Sequence, residues 1–345
     1  MFDIITIGGA TTDTFVETDK AKVMRVDTPT EHQGYLCFDY GEKLELDQIA
    51  YDIGGGATNA AVNFSNLGFK TGIVAKIGDD LAAQAILQRL NEKSIDSSMI
   101  INEQGGKSGF SIILTSFEGD RTVLTYRGTN STISFNEIDM EKIRKTQWLY
   151  FASLSGDSNK ILDEMAAFAE EHGIKTAFNP GSTQIKRGLK DLTKIFETAE
   201  ILIMNRSEAS AVTGIPNKPE EGDPLEDKNI EEMLLKIKST CPGIVVITEG
   251  KKGVHVIDGN VRYHAPSFPV KVVSTLGAGD SFASTFVATM IKYDGDIEKA
   301  IKFASINSAQ VVKSFGAQQG LLPFDEIEKI LAENPDFVVR SRACN

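Results

Sequence analysis

The segment Gln147-Trp148-Leu149-Tyr150-Phe151 begins a regular alternation of strands and helices that continues toward the C-terminus. Its apolar run predicts a buried strand, and Ile4 to Gly8 predicts an earlier one. Further predicted strands lie at 174–178, 200–204, 243–248 and 253–257, and predicted helices at 158–172, 188–198, 207–213, 230–239, 279–291, 296–313 and 324–333. This β-α order with apolar strands predicts an α/β fold in which helices cover both faces of a parallel sheet.

The composition of the chain argues against several classes of function. The chain has 345 residues, of which 41% are hydrophobic, and this suits a large α/β core. Its formal net charge is −12 and no basic run compensates it, so we expect no nucleic-acid partner and no anionic-membrane partner. The segment at residues 9–13, after the first predicted strand, lacks the G-x-G-x-x-G fingerprint of a nicotinamide dehydrogenase.

The sequence also indicates a cytoplasmic location. Residues 1–5 carry no basic segment, so they do not form a signal peptide, and no apolar run approaches the length of a membrane span. The cysteines are odd in number and widely scattered, which is typical of free thiols in a reducing compartment: Cys37, Cys241 and Cys344. The four histidines show no metal-ligand spacing.

A glycine-rich turn precedes the predicted helix near residue 279. It reads Ser274-Thr275-Leu276-Gly277-Ala278-Gly279-Asp280-Ser281-Phe282. Backbone N–H groups at such a helix start can surround an anion, and the helix dipole adds partial positive charge. We interpret residues 277–279 as a phosphoryl-binding loop and Asp280 as the base for an attacking hydroxyl. The alternative is an acidic helix start after a tight turn.

Two earlier stretches are candidates for binding the acceptor. Asp13 follows the first predicted strand, at the end of the sheet where α/β ligand sites lie, or it merely stabilises a turn. Gly54-Gly55-Gly56-Ala57-Thr58-Asn59 precedes a short amphipathic helix that Gly68 ends. The glycines permit a close approach to a ligand, and Asn59 offers both a donor and an acceptor. A flexible linker is the alternative for this stretch.

Two further motifs follow strands of the predicted sheet. Asn205 and Glu208 come directly after the strand 200–204, and one carboxylate with substrate phosphates suffices to hold Mg²⁺. The same spacing is also that of a helix N-cap with its capping-box partner. Thr248 to Gly253 joins two strands and either covers a nucleotide or is simply a hairpin loop. The acidic insert 217–229 reads as an exposed loop.

Short alternating segments outside the main β-α pattern predict a small additional sheet. Residues 15–52 lack helical periodicity and include the strand-like run Gly34 to Phe38. Gly109 to Ser116 and Arg121 to Tyr126 form a second strand pair, joined by the turn residues 117–120. These regions predict an antiparallel sheet that projects from the main body, unless they are ordinary edge strands.

Five motifs occur in one order along the chain. They are Gly54-Gly55-Gly56-Ala57-Thr58-Asn59 with Gly68 and Gly78, Asn205-x-x-Glu208, Thr248-x-Gly250-x-x-Gly253, Thr275-Leu276-Gly277-Ala278-Gly279-Asp280, and Gly316-Ala317. From about residue 2 to 333 their order and spacing resemble the ribokinase-like (PfkB) family of sugar and nucleoside kinases. The resemblance implies a three-layer α/β/α sandwich with a mostly parallel central sheet and a small β lid. It implies one domain, 1–345, with lid strands within about 14–51 and 109–127.

The resemblance also implies a role for each motif. Asp280 is the catalytic base, and the backbone of Gly277, Ala278 and Gly279 is the anion hole. The hydroxyls of the acceptor are held by Asp13, Gly54, Gly55, Asn59 and Asp280. The nucleotide of ATP is contacted by Asn205, Thr248, Gly250, Gly253, Gly277 and Gly279. Glu208 and Asn205 organise Mg²⁺ through water. Such an arrangement suits phosphoryl transfer, which requires mainly alignment and charge neutralisation.

The implied reaction is phosphorylation of a hydroxyl, in particular a hydroxymethyl group, of a small sugar. A nucleoside acceptor and a non-catalytic sugar- or nucleotide-binding protein stay open as alternatives. Thr11 and Gly56 stand where ribokinases carry Asn and Lys, so ribose itself is not implied. Ser274 stands where cation-dependent members carry Asp, so a monovalent cation is not implied. The protein is interpreted as a monomer or as a homodimer formed through the lid.

Overall fold

The computed structural model describes residues 1–27, 32–115 and 121–344. The strands are β1 (Phe2–Ile7), β2 (Thr11–Glu17), β3 (Lys22–Asp27), β4 (His32–Cys37), β5 (Gln48–Gly54), β6 (Thr71–Val74), β7 (Lys76–Ile77), β8 (Ile101–Asn102), β9 (Gly109–Thr115), β10 (Arg121–Tyr126), β11 (Thr146–Phe151), β12 (Lys175–Phe178), β13 (Ile201–Asn205), β14 (Ile244–Thr248), β15 (Val254–Asp258), β16 (Val261–Ala265) and β17 (Arg340–Ala343). The helices are α1 (Gly56–Asn66), α2 (Leu81–Glu92), α3 (Met140–Ile143), α4 (Ile161–Glu171), α5 (Ser182–Ile185), α6 (Gly188–Asp191), α7 (Thr193–Thr198), α8 (Arg206–Thr213), α9 (Lys228–Lys238), α10 (Ala278–Lys292), α11 (Ile297–Val311) and α12 (Phe324–Glu333).

The main sheet has the strand order β17-β16-β15-β14-β13-β12-β11-β1-β6. From β14 to β6 every neighbouring pair is parallel, whereas β15, β16 and β17 add an antiparallel edge. The parallel strands are apolar because both of their faces are covered. Ile4 and Ile5, for example, are fully buried and enter different clusters.

Two apolar clusters lie on the two faces of this sheet. Phe64 of α1 and Phe286 of α10 belong to one cluster, and Phe196 of α7 and Leu234 of α9 belong to the other. Successive side chains of a strand point to opposite faces, which places the two clusters on opposite sides of the sheet. The predicted three-layer α/β/α sandwich is therefore confirmed.

The lid is a separate four-stranded sheet with the order β10-β9-β2-β5. It is mixed, because β2 and β9 are parallel while the other two pairs are antiparallel. The prediction of a purely antiparallel lid is thus wrong in one pair. The strand-like run at residues 34–38 belongs to a different two-stranded sheet, β3-β4. The predicted turn at 117–120 lies outside the described residues.

Three other predictions require correction. The single helix predicted at 188–198 is divided into α6 and α7, and β16 and β17 were not predicted. The first lid strand, β2, begins at Thr11, before the predicted lid region at about 14–51. The strands form because neighbouring strands pair with them, although their own sequence pattern is weak, and the helix is interrupted between α6 and α7. In the described part of the chain, no helix is long and apolar enough to cross a bilayer.

Candidate active site

Asp280 lies in the first turn of α10, at a helix start that a left-handed glycine makes possible. Gly277 caps this helix with φ of 77°, and its carbonyl accepts a 2.8 Å hydrogen bond from the Ser281 amide. A Cβ at Gly277 would overlap Ala317, whereas a Cβ at Gly279 would meet no atom within 4 Å. The first amides of α10 have no partner within the helix. The open space at Gly279 is therefore accessible to an anion.

The Asp280 carboxylate contacts Asn59 from α1. The Nδ2 atom of Asn59 donates a 2.8 Å hydrogen bond to Oδ2 of Asp280. Burial raises the pKa of Asp280 above its ordinary value, and the Asn59 hydrogen bond partly opposes this rise. A carboxylate whose pKa is raised is a stronger base than an ordinary one, which suits removal of a proton from a hydroxyl.

The glycines before α1 allow Asp13 to approach the backbone. A Cβ at Gly54 would overlap the Asp13 carboxylate, and Gly55 has φ of 94° with its missing Cβ facing the Gly9 carbonyl. Asp13 is buried and accepts a 3.1 Å hydrogen bond from the Thr11 hydroxyl. The structure places it beyond the end of β1, as predicted, and within the lid strand β2.

Burial is also the main cause that raises the pKa of Asp13. Hydrogen bonds from Ser111 and Thr11 oppose this rise, while the charges of Asp52 and Asp280 add to it. The electrostatic interaction between Asp13 and Asp280 shows that a predicted acceptor-binding side chain lies near the predicted base. Because both acids and Asn59 converge here, the structure offers an acceptor hydroxyl both hydrogen-bond donors and acceptors.

Asn205 and Glu208 form the capping box of α8. Oδ1 of Asn205 accepts a 2.9 Å hydrogen bond from the Glu208 amide, and Oε2 of Glu208 accepts a 2.8 Å bond from the Asn205 amide. The capping alternative is therefore realised in the structure, and it leaves the second Glu208 oxygen, Oε1, for a further partner. Burial raises the pKa of Glu208, and the charge of Asp280 contributes. Within the described residues no cluster of three or more His, Cys, Asp or Glu side chains could hold a metal on its own.

The loop from Thr248 to Gly253 lies beside this capping box. Thr248 pairs in register with Asn205 on the neighbouring parallel strand. The chain then passes through a 3-10 turn at Gly250–Lys252 into the antiparallel β15. The predicted hairpin connection is thus observed, and the fold brings the predicted metal pair and the predicted nucleotide loop together at one end of the sheet.

Sequence reasoning missed the buried Arg206 between Asn205 and Glu208. Its Nη1 atom lies 2.9 Å from Oδ2 of Asp227 and 2.7 Å from Oε1 of Glu249. A cation is unfavourable at a helix start, so an Arg there signals acidic partners elsewhere in the chain. Asp227 is buried and anchors the end of the acidic insert, while most residues of the insert are exposed, as predicted.

Three residues on the acceptor side were also missed. Asp52 of the lid is buried and lies 3.3 Å from Arg89 of α2, while Gln318 contacts Asn59. A cavity of ≈ 530 Å³ opens between α2 and the lid, and Asp13, Asp52 and Arg89 are among its lining residues. Asp280 does not line this cavity. Asp52 and Gln318 flank predicted motifs, but only the folded chain shows their contacts.

Comparisons with known proteins identify the family of this chain. The family model described as "pfkB family carbohydrate kinase" matches residues 19–324. The ribokinase of Bacillus subtilis is 30% identical over 281 residues, which cover 81% of this chain and 87% of the relative. The chain belongs to the PfkB family of carbohydrate kinases, and it is a sugar or nucleoside kinase of that family.

Two solved structures share the fold. Arabidopsis thaliana ribokinase complexed with ribose and ATP has a TM-score of 0.78 at 19% identity and covers 96% of this chain and 98% of its own. Burkholderia thailandensis nucleoside kinase in complex with inosine has a TM-score of 0.75 at 15% identity, with coverages of 97% and 99%. At these identities the likeness establishes the fold, and the ribokinase-like fold prediction is confirmed.

Proposed function

We propose that this protein transfers the terminal phosphoryl group of ATP to a hydroxyl, in particular a hydroxymethyl group, of a small sugar. The observation that carries the proposal is the position of Asp280. It lies at the N-terminus of α10, beside the open space at Gly279, and Asn59 holds its carboxylate at 2.8 Å. Base and anion site are thus adjacent, as an in-line transfer to a hydroxyl requires.

The reaction begins with alignment of the acceptor. Asp13, Asn59 and the backbone of Gly54 and Gly55 hold its hydroxyls, and the reacting oxygen lies at Asp280. Asp280 takes the hydroxyl proton as that oxygen attacks the terminal phosphorus of ATP, the bond from this phosphorus to the bridging oxygen breaks, and ADP leaves. The amides of Gly277, Ala278 and Gly279 stabilise the negative charge on the transferring group, because donors at a helix N-terminus need no reorganisation during the reaction.

The capping box of α8 is the candidate site for magnesium. Glu208 and Asn205 would hold Mg²⁺ through water, since the Asn205 amide bonds Oε2 of Glu208 and hard cations favour carboxylate oxygens. When bound, Mg²⁺ neutralises charge on the phosphates. Thr248, Gly250 and Gly253 line the nucleotide, and the register of Thr248 with Asn205 supports this role. Ser274 stands where cation-dependent members carry an acid, and its hydroxyl accepts a 3.3 Å bond from the Leu276 amide, so the proposal includes no monovalent cation.

A nucleoside is the second candidate acceptor. Tyr51 and Phe110 line the same cavity as Asp13, and aromatic rings of this kind can stack on a base. A small sugar would leave these two rings without a ligand contact. Product analysis with sugars and nucleosides therefore separates the two acceptor classes.

The chain functions as one domain, 1–345, whose lid also forms a homodimer interface. The register of the lid strands places Ile49, Leu124 and Tyr126 on one face, and all three are exposed. A second copy of the chain covers this apolar face, since monomers seldom expose such patches.

The test of this function is a phosphorylation screen with product analysis. Purified protein is incubated with ATP and Mg²⁺ against pentoses, hexoses, sugar phosphates and nucleosides. We expect one acceptor class to yield a phosphorylated hydroxymethyl product, and chelation of Mg²⁺ to abolish the reaction. Absence of a product with every acceptor would contradict the proposal and favour a non-catalytic binding protein.

A further inference from the structure

A continuous chain of hydrogen bonds connects Asp280 to the lid. Asn59 donates to Asp280 at 2.8 Å and accepts from Nε2 of Gln318 at 3.1 Å. Oε1 of Gln318 accepts from Nη1 of Arg89 at 2.9 Å, and Nη2 of Arg89 lies 3.3 Å from Oδ1 of Asp52. These hydrogen bonds thus link α10, α1, the segment after α11, α2 and the lid strand β5.

The Arg89 guanidinium and the Ile53 carbonyl determine which groups donate and which accept in this series of hydrogen bonds. A guanidinium can only donate, so Gln318 must present its oxygen to Arg89. The carbonyl of Ile53 can only accept, and it receives a 2.9 Å bond from Nε2 of the same side chain. Gln318 therefore presents its NH₂ group to Asn59, which must present its oxygen there. The Asn59 amide nitrogen is then left to face Asp280.

The opposite orientation of Asn59 would be harmful. Its carbonyl oxygen would then face the Asp280 carboxylate, and two acceptors would repel each other. Gln318 is buried, so bulk water cannot easily replace a lost partner. The carboxamide of Asn59 is nearly symmetric and could adopt either orientation on its own. Its hydrogen bond with Gln318 selects the orientation in which the NH₂ group faces Asp280.

We propose that Gln318, held by Arg89, is a positioning residue that orients the Asn59 amide toward Asp280. The proposal rests on the proposed function only for its catalytic consequence, because the orientation itself is a property of the free protein. Since Asp52 lies on β5, the same contacts tie the lid to the residue that receives the proton.

The acidic neighbours of Asp280 make the hydrogen bond from Asn59 important for its pKa. Asp13 from β2 and Glu208 from α8 interact with it electrostatically, and Tyr150 from β11, which is neutral because burial raises its pKa, is a third titratable neighbour. Among the described residues, the Asn59 hydrogen bond is the one contact that lowers the pKa of Asp280 against its burial. Loss of the correct Asn59 orientation therefore raises this pKa further.

The test measures the pKa of Asp280 directly, without substrate. Aspartate ¹³Cγ shifts are titrated in full-length labelled protein, and Asp280→Asn assigns the signal. We expect Gln318→Met to raise the pKa of Asp280 and, in the kinase assay, to lower kcat about 10- to 100-fold with little change in the KM for ATP. Gln319→Met is the matched control, because the neighbouring Gln319 is exposed, and it should change neither quantity.

A second pair of variants covers the case in which Gln318→Met does not fold. Arg89→Lys keeps a donor for Gln318, whereas Arg89→Met removes it, so only the Met variant should raise the pKa of Asp280. An unchanged pKa in folded Gln318→Met, or equal values in the two Arg89 variants, would overturn the proposal. A raised pKa in a protein that phosphorylates nothing would support the positioning role and contradict the proposed function.

Discussion

Asn59 and Asp280 lie 221 positions apart in the sequence and are joined by a 2.8 Å hydrogen bond. One helical turn further along each helix, Nδ2 of Asn63 donates a 2.7 Å bond to the Ser284 hydroxyl. Residues four apart share a helix face, so the two bonds run along one contact between α1 and α10. The segment that contains Asn59 and the helix that contains Asp280 are therefore held together by two polar contacts.

The two glycines of the anion loop should respond differently to substitution. Gly279→Ala places its methyl group in open space, so it should leave stability unchanged and lower kcat/KM about 100-fold by obstructing the phosphoryl group. Gly277→Ala should instead destabilise the fold by about 1 kcal/mol or more, because φ is 77° and Ala317 is in the way. Urea unfolding and steady-state kinetics measure both effects. Full activity of Gly279→Ala would exclude the loop as the anion site.

Arg206 should be required for stability and for nucleotide affinity. Arg206→Met leaves Asp227 and Glu249 buried without their cation, at a cost of about 3–5 kcal/mol. The KM for ATP should rise, because Glu249 follows Thr248 directly. The matched control is Arg144→Met, which removes an exposed ion pair with Glu141 and should cost about 0–1 kcal/mol. Equal stabilities of the two variants by urea unfolding would contradict this role.

Activity should fall on the acid side at a pH above the ordinary titration range of aspartate. Asp280 acts in its deprotonated form, and burial raises its pKa, so protonation removes the base while the pH is still above about 3.9. The pH profile of kcat/KM measures this limb. Asn59→Leu removes the opposing hydrogen bond and should shift the limb to higher pH. A limb at or below the ordinary value would argue that Asp280 is not the titrating base.

The lid should mediate a homodimer in solution. Leu124 is 52% exposed on the apolar lid face, and Leu235 of α9 is similarly exposed, at 44%, outside the lid. Leu124→Lys should therefore convert the dimer to a monomer in sedimentation velocity, whereas Leu235→Lys should leave it intact. A monomeric wild-type protein would show that the exposed lid face has another use.

Much of the main body was predictable because its strands are buried on both faces. An apolar run such as Ile201–Asn205 has few other interpretations in an alternating β-α chain. The lid strand β2 was not predictable in this way. Its sequence, TTDTFVE, is mostly polar, and it is a strand because β5 and β9 pair with it on both sides. The edge strand β17, RSRA, is exposed and carries no apolar signal.

The site was predictable only where glycines and acids mark it. The glycine loops revealed where the backbone approaches a ligand or another chain segment, and their positions gave Asp13, Asn59 and Asp280. Gln318 carries no such mark, and it lies 259 positions from the Asn59 that it contacts. Arg206 became informative only when Asp227 and Glu249 were seen beside it. Contacts of this kind depend on the packing of distant segments.

The most direct test of the account is the turnover of Asp280→Asn beside that of Asp325→Asn. Both acids lie in the first turn of a helix, but Asp325 is exposed on α12. With the acceptor found by the screen, Asp280→Asn should lose about 10²- to 10⁴-fold in kcat while ATP binding stays intact, and Asp325→Asn should match the wild type. Near-normal turnover of Asp280→Asn would contradict its assignment as the base.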